Sequence, residues 1–183
     1  GFDTGPGNGL MDEWAARHLN KSFDSNGDFA ASGALHQDLL NALLAEPYFS
    51  RQPPKSTGRG DFHLDWLEQR YPALARLAPE DVQRTLCELT ARSITDAINA
   101  HANASRKIII CGGGSKNGFL MQRLRDLSGK PVSASDDYGL ASGWVEAVAF
   151  AWLAMRTVNH LPGSLSAVTG ASKSTVLGGL FRA

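Results

Sequence analysis

The chain opens GFDTGPGN, and its first acid, Asp3, stands directly before Gly5, Pro6 and Gly7. Two glycines and a proline continue neither a regular helix nor a strand, so a tight turn begins just after Asp3. Downstream, Leu10, Met11, Trp14, Ala15, His18 and Leu19 recur at three- and four-residue spacing, the mark of one buried helix face. A carboxylate between a strand end and a helix start occupies the place where open α/β sheets hold ligands, in a crevice lined by helix N-termini.

The second stretch with chemical content is KIIICGGG. A short β-branched run ended by Gly112, Gly113 and Gly114 and followed by KNGFLMQRLRDL reads as a buried parallel strand turning into a helix. The glycines either let backbone approach a ligand or serve a tight turn and its packing. The dinucleotide spacing fails, because starting from Gly112 and Gly114 the third glycine would fall on Asn117. A P-loop also fails, since TGASKST has Gly170 but no second glycine in register. The third is Glu146, alone among Val145, Ala147, Val148, Phe150 and Ala151. It is either a first-turn charge that offsets the helix dipole or a ligand group. DSNGD resembles a calcium loop only superficially: Gly27 comes too early and Leu35 stands at position twelve.

Alternating loops and helices must position these groups. The pattern predicts helices over 9–20 and about 34–46, a loop over RQPPKSTGRGDF and a short helix in FHLDWLEQRY. A long helix follows from Pro79 to about Ala102, with Val82, Leu86, Leu89, Ile94 and Ile98 on one face. After the glycine triplet come a short strand PVSAS, a turn DDYG and an apolar helix SGWVEAVAFAWLAMRTV. The tail, rich in Gly, Ser and Thr, reads as loops with one short strand near AVTG.

The whole chain bounds the function. At 183 residues and 43% hydrophobic content it suffices for one domain with its own core. Lys plus Arg equals Asp plus Glu at 18 each, so no global field favours nucleic acid or an anionic membrane. The apolar run IIIC at 108–111 is far too short to span a bilayer, and no signal peptide is evident. Cys87 and Cys111 form neither a metal spacing nor a disulfide framework, so a reducing cytoplasm is the default. The chain begins with Gly inside an expected strand. It therefore reads as the later part of a longer protein, with the strands that pair with Gly1 to Thr4 lying upstream and an open edge that favours association, as in a homodimer.

FDTGPGN, FDSNGDFAASG, PPKSTGRGDF, IICGGGSKN, EAVAFAWLA and AVTGAS, in this order and spacing, resemble the C-terminal part of the anhydro-N-acetylmuramic acid kinase family. The likeness runs from end to end. It implies an α/β, RNase H-like lobe of the actin, sugar-kinase and heat-shock ATPase superfamily spanning 1–183, its sheet incomplete without the upstream strands. It also implies an absent N-terminal lobe, ATP with Mg2+ between the lobes, and a small sugar as the other substrate. The implied reaction opens the 1,6-anhydro ring with water and transfers the γ-phosphoryl of ATP to O6, in cell-wall recycling.

The resemblance assigns Asp3 as the base acting on water, with Gly5 and Gly7 leaving room for sugar and phosphate. Asn8 is expected to cap the first helix. Gly112, Gly113 and Gly114 become the wall for adenosine and the α-phosphate, with Asn117 capping their helix at the nucleotide. Glu146 is implied as a sugar-hydroxyl ligand, and no residue is assigned to metal. Lys55 to Arg59 read as a mobile loop without a role. Ser142 or Gly143 stands where relatives carry an acid, a departure that leaves Glu146 in place. Another sugar or acid kinase of the superfamily, or a non-catalytic binding half, are the alternatives.

Overall fold

A computed structural model describes residues 1–181 of the chain. Its axis is the 23-residue helix α6, Pro79–His101, which starts with Pro at a position where no intrahelical N–H is needed. Glu80 and Asp81 in its first turn offset the positive end of the helix dipole. Its faces bury Val82, Leu86, Leu89 and Ala91, and Ile94 and Ile98 pack on the same core from its rim. Helices α1 (Gly9–Leu19), α2 (Asp28–Ser32), α3 (Gln37–Leu44) and α7 (Gly118–Ser128) pack around α6. Helices α4 (Pro47–Ser50) and α5 (Leu64–Arg70) complete that layer, with Tyr48, Phe62 and Leu67 buried under them.

A buried ion cluster ties α6 to α7. Glu88, only 1% exposed, accepts hydrogen bonds from Arg84 and Arg92 on its own helix, and from Arg123 on α7 at 2.9 Å. Burial alone would raise its pKa, but the bonds from Arg123, Arg84 and Arg92 outweigh that penalty and hold it at about 2. Cys87 beside it is buried, which pushes its thiol up to about 12 and leaves it inert. Cys111 is exposed and unpaired with it, so no disulfide joins them.

The sheet is two parallel strands, β1 (Ile108–Ile110) and β2 (Val132–Ala134), in register Ile108 with Val132 and Ile110 with Ala134. Helix α7 is their crossover, as parallel pairing requires. Asn117 starts α7 by accepting the Leu120 N–H on Oδ1 at 2.9 Å, and left-handed Gly129 ends it.

Two expectations are corrected. Gly1 to Thr4 has no regular secondary structure and belongs to no strand among the described residues. It lacks a ladder partner, and its one main-chain bond runs from the Asp3 N–H to the Lys55 carbonyl at 3.4 Å. The AVTG stretch is not a strand but a single helical turn, α9 (Ser166–Thr169), closed by the Thr169 and Gly170 N–H groups and ended by left-handed Gly170.

Helix α8 (Val145–Val158) forms where its apolar sequence predicts, yet buries none of its residues. Trp144 just before it is 64% exposed and Phe150 within it 71%. The tail folds back along one side only, with Thr157 bonded to the Leu177 carbonyl and Arg156 to that of Pro162. No helix of the described residues is long and apolar enough to cross a membrane.

Candidate functional site

The site is built around the opening turn, which α6 holds from below. Thr90 Oγ1 donates to the Gly7 carbonyl at 2.7 Å. Gly5 lies so close to α6 and α4 that a Cβ there would stand 2.9 Å from the Phe49 ring and 3.1 Å from Ser93 Oγ. Glycine at 5 is thus a packing requirement, whereas Gly7, with φ of +56°, faces open space. Asn8 does not cap α1 through its side chain, as the sequence leads one to expect. Its backbone is already helical, and its amide instead lies against Gly113 and Gly114.

Asp3 is exposed but fixed. Tyr48 Oη donates to its carbonyl at 2.7 Å, and its Oδ2 accepts from Ser56 Oγ at 2.6 Å and from the Thr57 N–H at 3.0 Å. The Ser56 hydroxyl, then the Thr57 amide, stabilise the carboxylate and lower its pKa against a small opposing cost of burial. Oδ1 accepts nothing from the described residues and is free to face a ligand.

Ser56 and Thr57 lie in the loop that sequence reasoning left without a role. Lys55 anchors that loop by donating from Nζ to the carbonyls of Tyr48 and Phe49 at 3.1 and 3.3 Å. The adjacent Ser and Thr of PPKSTG were visible in the sequence, but not the carboxylate partner 53 positions away that gives them their role. Asp3, Lys55 and Ser56 share a cavity of about 510 Å³ with Val168 and Thr169 of α9. Three separated motifs, FDTGPGN, PPKSTGRGDF and AVTGAS, therefore meet at one place.

A second cavity of about 280 Å³ is lined by Asn8, five residues beyond Asp3, together with Gly113, Lys116 and Asn117. Gly112 requires glycine for its φ of +75°, and its N–H donates to the Ser142 carbonyl at 3.0 Å. Gly113 and Gly114 do not: a Cβ at Gly113 would find the Asn8 amide at 3.5 Å, and one at Gly114 the Asn8 amide at 3.4 Å and Leu120 Cδ2 at 3.7 Å, all ordinary contacts. Asn117 keeps its side-chain oxygen for the α7 cap.

Glu146 sits exposed in the first turn of α8, four residues beyond Ser142, and lines neither cavity. The two readings of its carboxylate, dipole partner or ligand group, both remain compatible with that position. Among the described residues no three His, Cys, Asp or Glu side chains converge as a metal site.

The chain matches the family model described as anhydro-N-acetylmuramic acid kinase over residues 1–183. It is 50% identical over 187 residues to a protein of that name from Paraburkholderia xenovorans, covering 99% of this chain and 50% of that one. It is 49% identical to those of Ralstonia nicotianae and Bordetella pertussis, covering 100% of this chain and 48% and 49% of theirs. The chain spans about half the length of the curated relatives it matches. With the match running the length of the chain, and with the separated motifs meeting around Asp3, the chain belongs to the anhydro-N-acetylmuramic acid kinase family.

Proposed function

We propose that the chain is the RNase H-like, nucleotide- and sugar-binding half of a cytoplasmic ATP-dependent kinase acting on 1,6-anhydro-N-acetylmuramic acid, active once joined to the other half of the family's length. The observation that carries this reading is the convergence at Asp3 of three motifs remote in sequence, with Gly113 of the glycine triplet lining a second cavity that Asn8 also lines.

In this reading the sugar lies at the larger cavity. Oδ2 of Asp3 is spoken for by Ser56 and Thr57, so Oδ1 takes a proton from water as that water attacks the anomeric carbon. The bond from the anomeric carbon to O6 breaks, and O6 takes the γ-phosphoryl of ATP, leaving ADP and N-acetylmuramic acid 6-phosphate. The lowered pKa of Asp3 keeps it ionised at neutral pH, so the base form is always present. The Ser56 and Thr57 bonds aim the carboxylate, which is the main requirement for a positioned base.

The glycine backbone at 113 and 114, open where packing does not demand glycine, forms the wall for adenosine and α-phosphate. Glu146 lines neither cavity, and its assignment as a ligand of sugar hydroxyls rests on the family resemblance alone. Magnesium fits as an ion carried mainly on nucleotide phosphate oxygens, the usual mode for this cation, and no cluster among the described residues is shaped to cage it alone.

The test is a phosphate-transfer assay of the full-length protein against 1,6-anhydro-N-acetylmuramic acid and a panel of reducing sugars and carboxylic acids. Transfer to the anhydro sugar with loss of its ring supports the reading. Faster transfer to a panel member would favour another kinase of the superfamily, and binding of sugar and nucleotide without turnover would favour a non-catalytic half.

A further inference from the structure

The cavity beside the glycine triplet carries an aromatic wall that folding does not explain. Phe23 lines it and is 58% exposed. The loop that presents Phe23 is nevertheless rigidly held. Its neighbour Asp24 is buried and accepts the N–H groups of Phe29 and Ala30, both at 2.9 Å, and the Gln83 amide at 3.3 Å. These bonds pin the loop to α2 and α6.

The following turn locks onto the start of α7. A Cβ on Gly27 would collide with Asn117 Oδ1 and with Phe119, and a Cβ on Gly118 would collide with Asn26 Oδ1. Phe23 is therefore held in fixed relation to the glycine turn at 113–116, which directly precedes Asn117 and lines the same cavity.

Asp12 on α1 faces that cavity too. It is half-buried, and its carboxylate accepts no hydrogen bond from the described residues. Burial raises its pKa, Arg59 opposes that and Asp24 adds to it. Lys116 lines the cavity and Arg59 stands close enough to act on Asp12, so the charges at this end roughly balance and the Asp12 carboxylate is left as an open acceptor for a neutral group with donors. At about 280 Å³ the space lies just below the usual range for whole ligands and suits a nucleobase.

Resting on the nucleotide reading of the glycine triplet, we propose that Phe23 is the platform on which the nucleobase stacks. Asp12 accepts a hydrogen bond from the exocyclic amino group of that base, so the cavity selects adenine over a purine with oxygen at that position. The phosphates then point out of the cavity, away from the carboxylates, and the base enters between the Phe23 ring and the wall at Gly113.

The test titrates the full-length protein with ATP and with inosine triphosphate, which carries a carbonyl in place of the amino group. Phe23→Ala is expected to weaken ATP binding about 5- to 100-fold with sugar affinity unchanged, and Phe23→Trp to retain it. Asp12→Asn is expected to narrow the preference for ATP over inosine triphosphate, because an amide can also donate to a carbonyl.

Gly113→Val separates this proposal from the reading beneath it. If Gly113→Val loses ATP while Phe23→Ala binds it as wild type does, the stacking role is overturned and the nucleotide wall stands. If both variants bind ATP normally, the nucleotide reading fails as well. Equal loss of ATP and sugar in Phe23→Ala, not restored by Trp, overturns the proposal by making Phe23 a folding residue.

Discussion

The carboxylates of this chain do different work because their surroundings differ. Asp3 is held by a hydroxyl and an amide at one oxygen and is open at the other; Glu88 is enclosed by three arginines. Replacing Glu88 by Gln removes the one buried charge and leaves three partly exposed guanidinium groups uncompensated, a loss of roughly 2 kcal/mol that urea unfolding would register. The folded pKa of about 2 lies below the ordinary 4.5, so the unfolded chain binds this proton first. The stability Glu88 contributes is complete above pH 4.5 and is lost as the pH falls from there to about 2, a window that an acid titration of unfolding would trace and Glu88→Gln would flatten. Glu146, exposed at a helix start, has no such enclosure. Glu146→Gln keeps the shape and removes the charge, so the KM for sugar should rise several-fold with thermal stability unchanged. An unchanged KM with lowered stability would return Glu146 to the helix dipole. The turn after Asp3 and the strand-to-helix turn at the glycine triplet were legible from residue type and spacing, as places in the fold and not as roles. Ser56 and Thr57 were not, because their role is a contact across 53 and 54 positions of chain that no local pattern encodes.

Elements were legible in proportion to how much of their stability is local. Helices α1, α6 and α7 carry periodic apolar faces with a proline or an asparagine at the start and left-handed residues after α1 and α7, and they form where the pattern places them. A strand is defined by its neighbours, so Gly1 to Thr4, without a ladder partner among the described residues, stays irregular, and AVTG closes on itself as a helical turn ended by Gly170. The short helix α2 was hidden for another reason. Its cap is Asp24, four residues before the helix, acting through a turn in which Asn26 and Gly27 both have positive φ. The DSNGD run is this device and not a cation loop. Gly27→Ala should therefore cost more than about 1 kcal/mol, from strain at positive φ and collision with Asn117 and Phe119 together. Chemical denaturation measures it, and a change within a few tenths would mean that the turn is not clamped on α7.

At the scale of the molecule, α8 is the feature that does not close. Phe150 and Trp152, on opposite sides of this helix, and Met155 are all exposed, so its apolar side chains meet water on more than one face. The relatives carry about as much chain again as is present here. The account expects the chain alone to self-associate in sedimentation experiments and to become discrete when the other half is supplied; a monodisperse monomer of the chain alone would contradict that. The fold and the convergence of motifs serve one claim, that Asp3 is the base for ring opening. Asp3→Asn in the full-length protein tests it most directly, because Asn is isosteric and can still accept from Ser56 and Thr57. ADP release, sugar 6-phosphate formation and sugar binding are measured on the same variant. The account predicts that both products fall together by about a hundred- to ten-thousand-fold while the sugar still binds. Turnover within a few-fold of wild type, or loss of sugar binding along with rate, would contradict it.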